Sequence, residues 1–184
     1  MKKRVLIMLL AGIFFSCATD TIKKRTADTT EVVPLPDGSI ALLNANSAIS
    51  FDSKFEPRKV VQEGEIFYVV AEGESLFTVK TENGAVEVLG TEFHVNSDGE
   101  TLEVEVEKGT VRILFEDIRK VIEKGQKAIA RDVKKGIEVG KAEFKHKHWV
   151  KKMKREFRKT AKAVKKESKK LEKETKKILK NLKE

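Results

Sequence analysis

The chain has 184 residues, with 38 Lys and Arg against 29 Asp and Glu for a net charge of +9, and 36% of it is charged. That length supports one domain with a real core plus an appendage. A single cysteine excludes an internal disulfide and a thiolate metal cluster, so an exported domain of this chain must hold on its core alone. The charge is divided unevenly. Residues 141–184 contain 17 Lys and two Arg against six Glu, a balance of +13, which leaves −4 on residues 1–140. Two physically different pieces therefore meet near Lys141.

At the start, Lys2, Lys3 and Arg4 precede an unbroken apolar run of eleven residues, Val5 to Phe15. This is the layout of a signal peptide, expected over residues 1–16. A helix needs about 20 apolar residues to span a bilayer, so the run is too short for a lasting anchor. The sequence Phe14-Phe15-Ser16-Cys17 resembles the lipobox of bacterial lipoproteins. That resemblance implies cleavage before Cys17 and lipid attachment to its thiol. Several acyl chains then hold the protein firmly where one would not, at about 0.8 kcal/mol per buried methylene. The alternative is an ordinary secretory signal cut a few residues later, with Cys17 inert. Ala18 follows the cysteine where some inner-membrane lipoproteins have aspartate, which by resemblance points to the outer membrane.

Residues 17–31 are polar, Thr-rich and aperiodic, and read as a flexible tether, with an edge strand through Thr29 to Val33 as the other reading. From 32 to 140 alternation dominates. Thr101 to Lys108 sets Leu102, Val104 and Val106 on one face and Glu103, Glu105 and Glu107 on the other, the pattern of a half-buried strand with its glutamates in solvent. Similar runs are predicted at Ile40 to Leu43, Lys59 to Gln62, Ile66 to Val70, Phe77 to Lys80, Ala85 to Leu89, Phe93 to Asn96, Thr110 to Phe115 and Lys127 to Arg131. Asp37-Gly38, Asn83-Gly84 and Asp98-Gly99 supply turns. Many short strands at roughly ten-residue spacing indicate a sandwich, barrel or solenoid.

Leu35-Pro36-Asp37-Gly38-Ser39, then Gly64 to Val70, then Phe77-Thr78-Val79, then Val86 to Val95 with its Leu89-Gly90-Thr91-Glu92-Phe93 centre resemble the FecR domain family over about residues 34–131. The resemblance implies a mainly β, solenoid-like or sandwich-like domain. Its motif residues read as structural: Gly38, Gly64, Gly84, Gly90, Gly99 and Gly109 at strand ends, and Phe67, Phe77, Leu89, Phe93 and Val95 as apolar filling. The family also implies a signalling role, in which a cytoplasmic segment holds a sigma factor and the FecR domain meets a receptor outside the inner membrane. Only MKKR precedes the apolar run, so the expectation here is the extracytoplasmic module alone, re-anchored by lipid.

The tail, 141–184, has no Gly or Pro and is rich in helix formers, which predicts a long C-terminal α-helix. Val150, Phe157, Val164, Leu171 and Ile178 recur every seven residues, but the second apolar position of each heptad is mostly small or polar. A coiled coil needs two apolar positions per heptad and finds mostly one here, so helix-mediated self-association would be weak. Docking of Trp149, Met153 and Phe157 on the β domain fits better. The basic residues Lys151, Lys152, Lys154, Arg155, Arg158, Lys162, Lys165, Lys166, Lys169 and Lys170 suit an anionic lipid or envelope polymer, each lysine near such a surface contributing about 1 kcal/mol. A plain solvated spacer is the competing reading. Nucleic acid is not the expected partner of an exported chain.

For chemistry, His146 and His148 stand two apart and point to different sides of a helix, so they cannot chelate one ion together. The chain has no GxSxG, HExxH or phosphate-loop pattern. The expectation is a non-enzymatic protein with no cofactor and no metal, a binding module for another envelope protein. A signalling component or a structural spacer between membrane and wall is the alternative.

Overall fold

The computed structural model describes residues 20–159 and residue 162. Cys17, Lys165, Lys166, Lys169 and Lys170 lie outside the described residues, as do the signal-peptide reading and most of the tail's heptad line.

Thirteen strands follow one another: β1 Thr21–Arg25, β2 Glu31–Pro34, β3 Ile40–Leu43, β4 Ala48–Asp52, β5 Lys59–Val69, β6 Phe77–Thr81, β7 Gly84–Val88, β8 Glu92–Ser97, β9 Leu102–Lys108, β10 Thr110–Phe115, β11 Ile118–Glu123, β12 Gln126–Asp132 and β13 Gly136–Lys141. A helix, α1, begins at residue 147 and continues through 159. One sheet runs β1-β4-β5-β6-β7-β10-β11 and the other β2-β3-β5-β8-β9-β12-β13. All these pairs are antiparallel except β5 with β6. The fold is mainly β with a C-terminal helix, and because β5 belongs to both sheets the thirteen strands are continuous in one nearly closed, barrel-like sheet.

β5 joins the sheets. Its first half pairs with β4 and its second with β3 and β8. The sequence reads as two runs with a break at Gly64; the chain is instead one bent strand, with Gly64 at φ 77° in the bend. A Cβ there would lie 2.8 Å from the Asn46 carbonyl oxygen and 2.8 Å from Ser47 Oγ, so the turn needs glycine for space as well as for conformation.

The inward rows of both sheets form the core, among them Phe77, Val79, Val86, Phe93, Val95, Val104, Val106 and Ile113, all fully buried. Tyr68 stacks on Phe93 with centroids 5.3 Å apart and donates its hydroxyl to Gln62 Oε1 at 2.9 Å, and Gln62 in turn donates to the Gly64 and Val95 carbonyls. Burial holds the Tyr68 hydroxyl well above its ordinary pKa.

Asp37 of the Leu35-Pro36-Asp37-Gly38-Ser39 motif is a staple. Its carboxylate accepts from Ser39 N at 2.9 Å, Ser39 Oγ at 2.8 Å, and Arg58 Nε and Nη2 at 2.9 and 2.7 Å. Arg58 also donates to the Ser75 and Ala71 carbonyls, and Ser39 Oγ accepts from Ala71 N. The motif thus ties the β2–β3 turn to the chain leaving β5.

Four sequence expectations are corrected. The tether of 17–31 ends early, because β1 pairs with β4 from Thr21 onward. Strands β4, β11 and β13 add to those predicted, their short runs being completed by neighbours that donate the ladder. Leu89 is not core filling but 51% exposed, since it falls in the corner after β7. The glutamate face of β9 is not in solvent: Glu105 is buried, and Glu103 and Glu107 are half-buried, because the C-terminal segment covers that face.

Candidate functional site

Register places one row of side chains straight across five strands on the outer face of the second sheet. Leu42 of β3 stands opposite Phe67 of β5, Phe67 opposite His94 of β8, His94 opposite Glu105 of β9, and Glu105 opposite Lys127 of β12. The row changes from apolar to charged along its length, and the C-terminal segment matches it. Val150 and Met153 of α1 pack on Leu42 and Phe67 with Trp149 beside them, as expected for a docked tail. Phe157 is half-buried one turn on. His146, just before the helix, lies over the polar half, its ring stacked on His94 with centroids 4.3 Å apart and planes at 12°.

Each polar member has a defined partner. Glu65 Oε1 accepts from His94 Nε2 at 2.8 Å and from Trp149 Nε1 at 3.1 Å, and Oε2 accepts from Asn44 at 2.5 Å. Burial by itself would raise this carboxyl. The hydrogen bonds from His94, Asn44 and Trp149 outweigh it, and hold the group at about 2. Glu105 accepts the backbone N–H of Glu143 and of Phe144, each at 3.0 Å, which fixes the chain as it approaches α1. His146 Nε2 donates to Glu107 Oε1 at 3.1 Å. That bond, opposed by burial and aided by the Lys154 charge, lowers the Glu107 carboxyl below its usual range. Lys127 lies 2.9 Å from Glu103 and 3.9 Å from Glu105.

Of the basic residues singled out in the tail, Lys151, Lys152, Arg155, Arg158 and Lys162 are exposed. Lys154 is different. Its ammonium pairs with Glu92 at 2.8 Å and sits 4.3 Å from the centre of the Phe67 ring, so it serves the docking of α1. Sequence reasoning did not find the polar cluster. It tested His146 only against His148, which is exposed, whereas the partner is His94, 52 positions earlier. The available signal was an outward row of glutamates on one strand together with an outward histidine on the next.

Residues 22–112, from β1 into β10, match the family model described as FecR protein. They form a FecR domain. The β12–β13 hairpin and the C-terminal segment lie beyond that match and complete the second sheet and its cover. Among solved structures, two of a "putative anti-sigma factor" from Parabacteroides distasonis are similar to the chain, each 25% identical, with TM-scores of 0.62 and 0.61. The likeness covers 66% and 65% of this chain, and 60% and 59% of theirs, so it spans about three fifths of those proteins. No curated protein matches the chain. No helix among the described residues is long and apolar enough to cross a membrane.

Proposed function

We propose that this chain is a lipid-anchored envelope protein whose FecR domain binds another envelope protein within a cell-surface signalling pathway, without catalysing a reaction. The FecR fold, shared with structures described as an anti-sigma factor, is the observation that carries the signalling part. The binding part rests on which surface is left open. The outer face of the second sheet is covered by the chain's own tail, while on the first sheet Leu76, Leu89 and Val121, 42%, 51% and 54% exposed, line one shallow apolar groove. The Arg112–Glu87 ion pair, at 3.2 Å, stands beside it. Grouped apolar side chains rimmed by charge suit a protein partner. Crosslinking in intact envelopes followed by pull-down tests this: one partner is expected for the natural chain and none for Leu89→Asp with Val121→Asp. Undiminished capture by that variant refutes the assignment of the groove.

The anchor is Cys17, and the outer membrane is its expected place. Cys17→Ser should release the protein from membranes or block its processing, and a normally processed, membrane-bound variant refutes lipid attachment. The exposed Lys151, Lys152, Arg155 and Arg158 support contact of α1 with an anionic surface. Sedimentation with anionic and neutral vesicles reads it: binding should favour the anionic ones and fall with salt. Equal binding to both leaves α1 as a solvated spacer.

A further inference from the structure

The cluster under the tail has a second property that hydrogen bonding does not explain. His94 and His146 each spend Nε2 on a carboxylate, Glu65 and Glu107 respectively. Their Nδ1 atoms are buried and have no hydrogen-bond partner among the described residues. Buried ring nitrogens are seldom left so, because removing a polar atom from water without a partner is costly. Glu105 completes the group. One nitrogen of each imidazole and an oxygen of Glu105 all lie within 4.8 Å of one another, and the three side chains are only 5%, 1% and 3% exposed.

The geometry points to a binding site for one divalent transition-metal ion of the zinc type, with Nδ1 of His94, Nδ1 of His146 and a carboxylate oxygen of Glu105 as ligands. Three features support it independently. First, the Glu65 and Glu107 bonds assign the proton of each ring to Nε2, leaving the Nδ1 lone pair free to ligate. A ligating histidine that donates its other N–H to a carboxylate is the usual outer arrangement of a metal site. Second, His146 Nδ1 and Glu105 Oε2 are 3.1 Å apart yet not aligned for a hydrogen bond. Ligands at about 2.0–2.2 Å from a tetrahedral zinc ion stand roughly 3.3–3.6 Å from each other, so a small separation of this pair brings it to the spacing of two atoms sharing an ion. Third, His94 and Glu105 are directly opposed across β8 and β9, and a ring nitrogen of His94 lies within 4.8 Å of a Glu105 oxygen.

The stacked rings set the conformational requirement. With planes only 12° apart, no point 2 Å from both Nδ1 atoms lies in both ring planes, so the imidazoles must swing out of the stack to bind. Trp149 reports the movement: it sits edge-on to His94 at 6.5 Å, donates to the same Glu65, and is the only tryptophan in the chain. Binding would join β8 and β9 to the segment before α1 and clasp the tail to the domain.

The test is zinc titration of the full chain, purified in detergent without a histidine tag and stripped with a chelator, followed by calorimetry and Trp149 fluorescence. The expected result is one ion per chain, a fluorescence change saturating at the same ratio, and a higher melting midpoint. His94→Asn and His146→Asn should each weaken binding by about 100-fold or more, at or beyond the 10–100-fold typical of losing an outer-shell partner. His148→Asn, altering an exposed neighbour, should bind as the natural chain does. Glu105→Gln keeps one carbonyl oxygen, which accepts from the Glu143 or the Phe144 amide but not from both, so its zinc affinity is read beside its own metal-free melting midpoint to separate ligation from folding. Failure of the natural chain to bind zinc at 100-fold molar excess overturns the assignment, as does binding that survives Glu105→Gln with both histidine changes, or binding that depends on His148.

Discussion

Replacing Asp37 by Ala tests whether the Leu35-Pro36-Asp37-Gly38-Ser39 motif serves the fold. The carboxylate accepts four hydrogen bonds, two of them from Arg58, and the pair is 11% and 13% exposed. In Asp37→Ala the guanidinium keeps only the Ser75 and Ala71 carbonyls, and its charge has no counter-ion at that site. Breaking a buried ion pair from one side costs about 3–5 kcal/mol. At roughly 3 °C per kcal/mol for a domain of this size, the melting midpoint should fall by about 10–15 °C. Far-UV circular dichroism melts measure it. A cycle with Arg58→Met separates the pair from the loss of shape: the double variant should be less destabilised than the sum of the two, by about 1–3 kcal/mol. A fall of less than about 2 °C, or an additive cycle, refutes the staple and reopens the motif as a ligand-binding feature.

Glu65, held at about 2 against an ordinary 4.5, contributes stability that is fully present above about pH 4.5 and lost as pH falls toward 2. Discounted for its partial exposure, the contribution is about 1–2 kcal/mol, and Glu65→Gln should flatten that part of an acid titration followed by Trp149 fluorescence. If the titration is unchanged, Glu65 does not fix the tail. Met153→Ala, which empties a buried position under α1, should cost about 2–3 kcal/mol and shift Trp149 emission toward that of exposed indole. Unchanged emission and stability would show that Met153 carries none of the docking. Gly64→Ala meets both the positive φ and the Asn46 carbonyl, and should lower stability by about 1–3 kcal/mol or more. A variant of unchanged melting temperature would show that the bend in β5 tolerates a Cβ.

The local chemistry of the chain set a good deal in advance. Alternation in Thr101 to Lys108 made β9 a strand, Asp37-Gly38 and Asn83-Gly84 marked turns, and the Leu35 to Ser39 and Val86 to Val95 motifs marked the FecR domain. The Trp149 and Met153 end of the tail pattern was enough to place α1 against the domain. Strand boundaries were read less well at β5, where a glycine looks like an end in sequence and is a bend in space.

Only the tertiary structure decided what covers each face. Alternation shows that Val104 and Glu105 point opposite ways, but nothing local to β9 says that the glutamate side will be roofed by residues 142–153. The register of β5, β8 and β9 then puts Glu65, His94 and Glu105 next to one another, and the turn before α1 lowers His146 onto them. Each of those residues looks like surface charge or an isolated histidine by itself. Their burial, their fixed protonation edges and the two unpartnered Nδ1 atoms arise from contacts 29 to 84 residues apart in the chain, which pairing and packing create and no local pattern encodes.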